Sequence, residues 1–420
     1  MAVNSSLNYF RKPVFLSALI CAFIFYSGLF RLPDRTRLRS LLPTENISGI
    51  QGKLVSSPAK NGKGNYYSSV LQLEGLWDKN NNYSQARGRI SVMIPAELAE
   101  AYSPGKLFSL SKQGFLFESG GYYCFRGRLS QNVFYIRECS ASFWPSTWRG
   151  RLAKVRALCR LHFKRLMYSW GSGGGLLLAL LCGAREYTEA AIAEAFRRAG
   201  LSHILALSGM HLSMFSAIAL FFGNRAGIKK LTFLLRITAL FAFVWFAGLS
   251  PSLMRAFICA MLSIIAAIAG AKTPDMLSIL CFSFLIQSAA CPQDIHNAAF
   301  ILSYGALAGI LLTGKFFSRF YSSFSPKTFA ASLSAATGAQ TITAPISLKL
   351  FGSFSPIGIV SATIVSPFVT LFIYSGLTLI ILSLIFPILA KPSGIFINFQ
   401  YTVIKFIVNI FSLVPNWSLN

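Results

Sequence analysis

The spacing of hydrophobic and polar residues divides the chain into distinct regions. Residues 1–31 contain one apolar run, residues 45–142 alternate over short stretches, and long apolar runs follow from residue 171 to residue 420. An apolar run of about 17 to 25 residues can cross a bilayer as a helix. The pattern therefore predicts a polytopic α-helical membrane protein with a small all-β domain near its N-terminus.

The C-terminal region 171–420 is predicted to form the polytopic domain. Its spans lie near residues 203–222, 231–249, 253–270, 276–291, 297–313, 329–351, 356–372, 373–389 and 395–413. The stretch 355–390 is too long for one crossing, at roughly 54 Å as a helix. We therefore divide it at Gly376 or near Pro367, and we expect Pro345 to interrupt the span before it.

The first apolar run is predicted to be a transmembrane anchor within residues 1–31. Val14 to Phe30 leads into Arg31, Pro33 and Asp34 without the small residues of a cleavage site. A cleavable signal peptide is therefore not expected.

Residues 45–142 show a strand pattern. Short alternating stretches, such as 66–73, 89–94 and 133–136, are separated by clusters of Gly, Ser and Asn. About five short strands in this length are typical of a small Greek-key barrel of the OB type. The region is predicted to be an extracytoplasmic OB-like domain.

Two cysteines fall in a predicted hairpin of this domain. Residues 122–129 and 133–138 flank a Ser-Gln-Asn turn, which brings Cys124 and Cys139 within about one residue of facing each other. A disulfide between them and two separate thiols are both compatible with the sequence. The chain has no CxxC pair, and its four histidines are not spaced with its cysteines, so we predict no metal site and no cofactor.

Composition supports a membrane protein that meets anions. Hydrophobic residues make up 54% of the chain and charged residues 12%, with 39 Lys and Arg against 13 Asp and Glu. Such an excess of cations fits anionic lipid at the inner face of a membrane, and it also fits a polyanionic cargo. Composition does not choose between the two.

A basic amphipathic helix is predicted at residues 146–170. An apolar stripe through Leu152, Val155 and Cys159 alternates with seven cations. A helix of this kind lies in the headgroup plane, where its cations bind lipid phosphates, and this interpretation is favoured over a ramp that guides DNA. Those cations are Arg149, Arg151, Lys154, Arg156, Arg160, Lys164 and Arg165.

Charge also predicts the orientation in the membrane. If the β domain lies outside, the loops with Arg225, Lys229, Lys230, Lys272, Lys315, Arg319 and Lys327 all lie inside, in agreement with the positive-inside rule. The cations Arg31, Arg35, Arg37 and Arg39 oppose it, but they precede a long translocated domain, where the rule is weaker.

Four sequence blocks resemble the ComEC family of competence proteins, over about residues 170 to 390. The most specific block is the pair LCGAREYT (181–188) and EAFRRAGLSHILALSGMHLS (194–213). The others follow in the family's order: AGLSPSLMRA (247–256), AAFILSY (298–304), and GAQTITAP (338–345) with FGSFS (351–355). The β region lies where the family has its small periplasmic OB-like domain.

The resemblance implies a multi-pass protein of the bacterial inner membrane that passes single-stranded DNA during natural transformation. It also implies two protein partners, a periplasmic or surface DNA receptor and a cytoplasmic DNA-translocating motor. Membrane lipids are a further expected partner. No HxHxDH cluster occurs, so we expect a short form without the metallo-β-lactamase-like domain of many members and without nuclease activity. Ile301 stands where the family usually has a polar Gln.

Polar residues at membrane depth are costly unless they face a cavity or a partner, so they are the candidates for the channel and DNA path. His203, Ser208, Gly209 and His211 lie around an expected break between two helices. Arg255 lies a few residues into a span, where it contacts phosphate or snorkels to the headgroups. The other candidates are Gln340 and Thr341, in a span whose small polar residues also suit tight helix packing.

Two alternatives to a DNA channel stay open. Ser208 as nucleophile and His211 as base would suit an intramembrane hydrolase, although no orienting carboxylate is placed nearby in the sequence. A small-molecule transporter or an interaction scaffold is the second. The channel is preferred because it needs a wet path lined by small polar groups and few cations, and no catalytic residue.

Overall fold

The β domain of the computed structural model is a closed five-stranded barrel. The model describes residues 12–27, 46–56, 58–60, 65–101, 117–141, 144–185, 187–207, 209–270 and 275–418. Helix α1 (Pro13–Tyr26) precedes the barrel, and α2 (Ala96–Ala101) follows the third of the barrel's five strands in the chain. The strands are β1 (Ile47–Leu54), the two-residue β2 (Ala59–Lys60), β3 (Tyr66–Asp78), β4 (Tyr83–Pro95), β5 (Tyr122–Ser130) and β6 (Val133–Ala141).

The strand order is that of an OB barrel. The sheet runs β1-β5-β6-β4-β3, and β1 also pairs with β3, which closes it. Strands β4 and β6 are parallel, and the other pairs are antiparallel. Alternating residues such as Ile50, Leu71 and Phe125 fill the interior, with none of their surface exposed. The predicted OB-like domain is confirmed.

Close backbone approach explains two glycines of the barrel. A Cβ at Gly52 would lie 2.0 Å from the carbonyl oxygen of Gln72, and one at Gly127 would lie 2.0 Å from that of Tyr135. Both glycines lie at irregularities in strand pairing. Such bulges bend the strands so that a small sheet can close.

The hairpin β5–β6 forms as predicted. Its turn residues Gln131 and Asn132 both have positive φ, which is typical of a tight two-residue turn. Cys124 pairs with Ser140, and Cys139 pairs with Phe125, so the cysteines are one position from direct opposition. The disulfide between them stays a prediction.

The helical part begins with a hairpin of α3 (Trp148–Ser169) and α4 (Gly171–Cys182). Gly171 has φ 64°, and it turns the chain back between the two helices. The helices that follow are α5 (Ala190–Arg198), α6 (Ser202–Leu205), α7 (Gly209–Arg225), α8 (Lys229–Ala247), α9 (Pro251–Ile268), α10 (Met276–Ala290), α11 (Ala298–Tyr321), α12 (Lys327–Phe351), α13 (Gly358–Ile385) and α14 (Ala390–Ser412). Strands β7 (Ser353–Phe354) and β8 (Trp417–Ser418) pair with each other.

Helix α4 is the centre of the largest apolar core. Every residue from Gly173 to Cys182 is buried, among side chains of α3, α13 and α14. Leu177 packs against Gly376 of α13, and the indole of Trp170 donates a hydrogen bond to the carbonyl of Ala390 at the start of α14. The N-terminal and C-terminal helices of this part therefore share one core.

Five stretches of the described residues are long and apolar enough to cross a membrane. They are Lys229–Ala247, Pro251–Ile268, Ala298–Tyr321, Gly358–Ile385 and Pro387–Ser412. Shorter apolar helices are Pro13–Tyr26, Gly171–Cys182 and Met276–Ala290. The predicted fold class, a polytopic helical membrane protein with a small β domain, is confirmed.

Two expectations about prolines are wrong. Helix α13 runs without a break from Gly358 to Ile385, so the division of 355–390 at Gly376 or Pro367 is not found. Helix α12 likewise continues through Pro345. In an apolar environment each broken backbone hydrogen bond is costly, so a helix keeps its remaining bonds on both sides of a proline.

The predicted basic helix forms as α3, but three of its cations turn toward the β domain, and one of them, Arg156, donates to the carbonyl of Ser119. Leu152 and Val155 of the apolar stripe are exposed, as a lipid-facing stripe requires. Arg160 and Lys164, however, are buried and form ion pairs with Glu118 of the β domain, at 2.8 and 2.5 Å. Their assignment to lipid phosphates is therefore wrong, because spacing along the helix does not reveal which face turns toward the barrel.

Candidate functional site

The predicted break lies between α6 and α7. Helix α6 ends at Leu205 and α7 begins at Gly209. The break is fastened to α9, because the Ser252 hydroxyl donates a hydrogen bond to the carbonyl of Leu207 at 2.6 Å. Ser208 lies outside the described residues.

Arg255 reaches this break from α9. Its Nη2 would lie 3.3 Å from a Cβ placed on Gly209, so the guanidinium lies close against this glycine. Its Nη1 donates a hydrogen bond to the carbonyl of Ser303 on α11 at 2.8 Å. Its Nε is buried and has no hydrogen-bond partner among the described residues. The guanidinium is thus held inside the helical domain, and its Nε–H donor has no partner among the described residues.

The other end of the break joins two sequence blocks that are far apart in the chain. The hydroxyls of Ser355 and Ser361 donate to the carbonyls of Arg198 and Ala199, at 2.8 and 2.6 Å. These carbonyls lie at the C-terminus of α5, where a helix leaves its last carbonyls without partners. The serines therefore attach the segment around residue 355 to the start of the break.

His203 contacts Gly200, which has φ 73°, and Gln340 contacts Gly358 beside it. The His203 side chain is exposed and forms a hydrogen bond with the Gly200 backbone. Gly200 packs on Gly358, where a Cβ would lie 2.7 Å from Nε2 of Gln340. Oε1 of Gln340 is buried without a hydrogen-bond partner in the described part of the chain. The segment 200–209 thus packs at one end on Gly358, which Gln340 contacts, and lies at the other end against Arg255.

Thr341 lies apart from Gln340, against α11. The Thr341 hydroxyl lies 3.4 Å from that of Thr313, in the seam where Gly309 and Gly338 bring α11 and α12 together. Thr341 therefore agrees with the alternative that the small polar residues of this span mediate tight packing between helices. His211 is fully buried in the first turn of α7. No group of three or more His, Cys, Asp or Glu residues that could hold a metal occurs among the described residues.

A buried polar network supports Arg255 and was not predicted. The Tyr304 hydroxyl donates to Oε1 of Gln287 at 3.0 Å and lies 3.2 Å from the hydroxyl of Ser283. Nε2 of Gln287 donates to the carbonyl of Pro251 at 3.0 Å. The network links α9, α10 and α11 around Arg255. Gln287 stands in an apolar run without a motif, so only its isolated polarity could have pointed to it.

A second unpredicted cluster joins the β domain to the helices. Glu118 is fully buried between Arg160 and Lys164. Arg160 also donates to the carbonyls of Phe246 and Ala247 at the end of α8, at 2.9 and 3.0 Å. We call this cluster, together with Arg156, the charged joint. No sequence signal marks Glu118, because its partners lie more than forty residues away.

Glu189 holds α5 and α14 together. Its carboxylate accepts hydrogen bonds from Lys405 at 2.8 Å and from Ser172 at 2.6 Å. These hydrogen bonds lower the pKa of Glu189 to about 2, and the bond from Lys405 has the largest effect. The carboxylate is therefore ionised throughout the physiological range, and it serves as a fixed anchor.

Comparison with known proteins supports the predicted resemblance. The family described as Competence protein matches residues 180–420. ComE operon protein 3 from Bacillus subtilis (strain 168) is 26% identical over 203 residues, which cover 48% of this chain and 25% of that protein. The chain thus matches about a quarter of the length of this relative. No solved structure matches the chain.

The matched range includes the break, Arg255 and Gln340, so the family and the site coincide in the chain. The five apolar helices agree with a multi-pass protein of the inner membrane. Because the family match covers more than half of the residues, the chain belongs to the competence protein family.

Proposed function

We propose that this protein passes single-stranded DNA across the inner membrane during natural transformation, through a wet path beside the break between α6 and α7. The proposal rests on the family and on one observation: Arg255 lies against Gly209, and Gln340 lies against Gly358, which packs on Gly200. The buried Nε of Arg255 and Oε1 of Gln340 have no hydrogen-bond partner among the described residues. Such atoms are costly at membrane depth unless water or a polar cargo reaches them.

The small number of cations at the break suits a DNA strand that passes through rather than one that stays bound. Each additional phosphate contact adds salt-dependent affinity, so a path with many fixed cations would retain DNA. Arg255 brings one positive charge to the break, and Gln340 is neutral. We infer that Arg255 screens phosphates one at a time, while a DNA receptor outside and a motor inside supply direction.

The β domain offers a surface that can receive the strand. A groove of about 590 Å³ is lined by Tyr66, Tyr135, Arg128 and Arg137, among others. The two tyrosine rings are exposed and meet edge to face, with centroids 6.0 Å apart. Aromatic rings that stack on bases, beside cations that meet phosphates, are the usual elements of single-strand binding by OB barrels.

We place the β domain outside the cytoplasm, on the same side as the loop around residue 295. The Tyr26 hydroxyl at the end of α1 donates to the carbonyl of Ile295 at 2.8 Å. Burial raises the pKa of Asp294 in this loop, and a hydrogen bond from Gln287 and the charge of Arg89 on β4 oppose the rise. The barrel thus lies beside this loop, and the hairpins rich in cations lie on the opposite side of the helical domain.

Replacement of a groove tyrosine should weaken DNA binding. We expect Tyr135→Ala in the full-length protein to bind labelled oligo-dT about 5- to 100-fold more weakly, because each base stacked on an aromatic ring contributes roughly 1 to 3 kcal/mol. Fluorescence anisotropy measures this. Tyr83→Ala is the matched control, since Tyr83 is also exposed but packs on Trp77 outside the groove. Equal losses for both variants would exclude the groove.

Replacement of Gln340 tests the path itself. We expect Gln340→Leu to reduce import of transforming DNA about tenfold, because an apolar side chain removes a polar lining group worth about 1.4 kcal/mol. Thr341→Val is the control, since Thr341 lies in the packing seam and its loss should change import less than twofold. Membrane insertion is checked for both by their amounts in the membrane fraction. Normal import by Gln340→Leu would contradict the proposed path.

A further inference from the structure

Arg156 lies where three parts of the molecule meet. It stands on α3, and its Nη1 donates to the carbonyl of Ser119 in the β domain at 3.1 Å. Its Nη2 would lie 2.7 Å from a Cβ on Gly248, the residue after α8, which has φ 97°. The side chain is half-buried, so a ligand can still reach it. It therefore connects the barrel, α3 and the turn that leads into α9.

The guanidinium of Arg156 has an N–H donor that is not used in the described residues. Its Nε is buried and has no hydrogen-bond partner in the part of the chain that the structure describes. A buried donor without an acceptor destabilises the folded state. Native proteins keep such groups mainly where water, an ion or a ligand completes them.

The charge around Arg156 favours an anion. Arg156, Arg160 and Lys164 follow one another at four-residue spacing on one face of α3, and Glu118 is the carboxylate set among them. Burial and then the charge of Arg160 lower the pKa of Arg156, while Glu118 opposes this. A bound anion would offset the repulsion between the two guanidinium groups, and the planar fork of Arg fits phosphate.

The position of Arg156 also fits a route for the strand. Gly248 lies four residues before Ser252, which binds the break, and seven before Arg255. The Tyr66–Tyr135 groove belongs to the barrel, and the charged joint attaches this barrel to the helices. We infer that Arg156 binds a phosphate group of the single strand as it passes from the β domain to the break. This inference rests on the proposed function.

The salt dependence of DNA binding tests the inference. Labelled oligo-dT is titrated against the full-length protein in detergent at several salt concentrations. Each phosphate contact to a single strand contributes about 0.7 to the slope of log K against log salt. We expect Arg156→Gln to lower the slope by about 0.7 and the affinity at low salt several-fold. Arg156→Lys, which keeps the charge, should retain the slope. Arg151→Gln, an exposed cation of the same helix, should match the wild type.

Each outcome either supports or overturns the binding of phosphate by Arg156. An unchanged slope for Arg156→Gln, or an equal loss for Arg151→Gln, overturns the inference and leaves the proposed function standing. If Arg156→Gln instead loses copurifying phosphatidylglycerol and keeps the slope, the phosphate belongs to a lipid and the inference is wrong. Failure of the wild type to bind oligo-dT overturns the proposed function as well. If Arg156→Gln does not fold, Arg156→Met gives the same readout.

Discussion

Replacing Glu118 with Gln is expected to lower the free energy of unfolding by about 3 to 5 kcal/mol, because it leaves buried cations without their carboxylate. Glu118 is fully buried, and its two oxygens lie 2.8 Å from Nε of Arg160 and 2.5 Å from Nζ of Lys164. Both cations are also buried, so water cannot replace the lost charge. The loss is expected to separate the β domain from the helices before the barrel itself unfolds.

Thermal unfolding of the purified protein in detergent measures this effect. Glu138→Gln is the matched control, because Glu138 is an exposed carboxylate of the same domain and should change stability by less than about 0.5 kcal/mol. Equal unfolding temperatures for Glu118→Gln and Glu138→Gln would show that the charged joint does not hold the two parts together.

Replacing Arg255 with Gln is expected to reduce import of transforming DNA at least tenfold. A charged hydrogen bond to phosphate is worth about 1.5 to 3 kcal/mol, which corresponds to a factor of roughly ten or more. Arg255→Lys should retain part of the activity, because lysine keeps the charge but not the fork that reaches both Ser303 and a phosphate. Import of labelled DNA into cells provides the measurement.

The control for Arg255 is another arginine inside an apolar helix. Arg236 on α8 donates to the hydroxyl of Ser216 on α7 and has no place in the proposed path. Arg236→Gln should import DNA within about twofold of the wild type, with both variants present in the membrane at normal levels. A similar loss of DNA import in both variants would mean that any arginine in these helices is needed for folding. That result would contradict the proposed role of Arg255.

Much of the fold could be predicted because its patterns are local. Alternation over residues 45–142 predicts the barrel, and apolar run length predicts α8, α9, α11 and α14 but divides α13 into two spans. The predicted division near Pro367 was wrong because a proline marks a helix end in water but not in an apolar core. In an apolar core, buried neighbours such as Val365 and Val369 hold the helix on both sides of it.

The sequence names candidate site residues but not their contacts, and the role of these residues stays a prediction. The motif blocks point to His203, Gly209, Arg255 and Gln340; Arg255 lies against Gly209, and Gln340 lies against Gly358, which packs on Gly200. The charged joint and the network around Gln287 depend on contacts between segments distant in the chain. A single sequence contains no record of such pairings, so they appear only in three dimensions.

The most direct test of the central claim uses a naturally transformable strain from which only this gene is deleted. Labelled transforming DNA is followed in the periplasm and in the cytoplasm. The proposed conduit predicts that DNA still binds and accumulates outside the inner membrane, that no labelled strand reaches the cytoplasm, and that the wild-type gene restores entry. Normal arrival of the strand in the cytoplasm of the deletion strain would contradict the account.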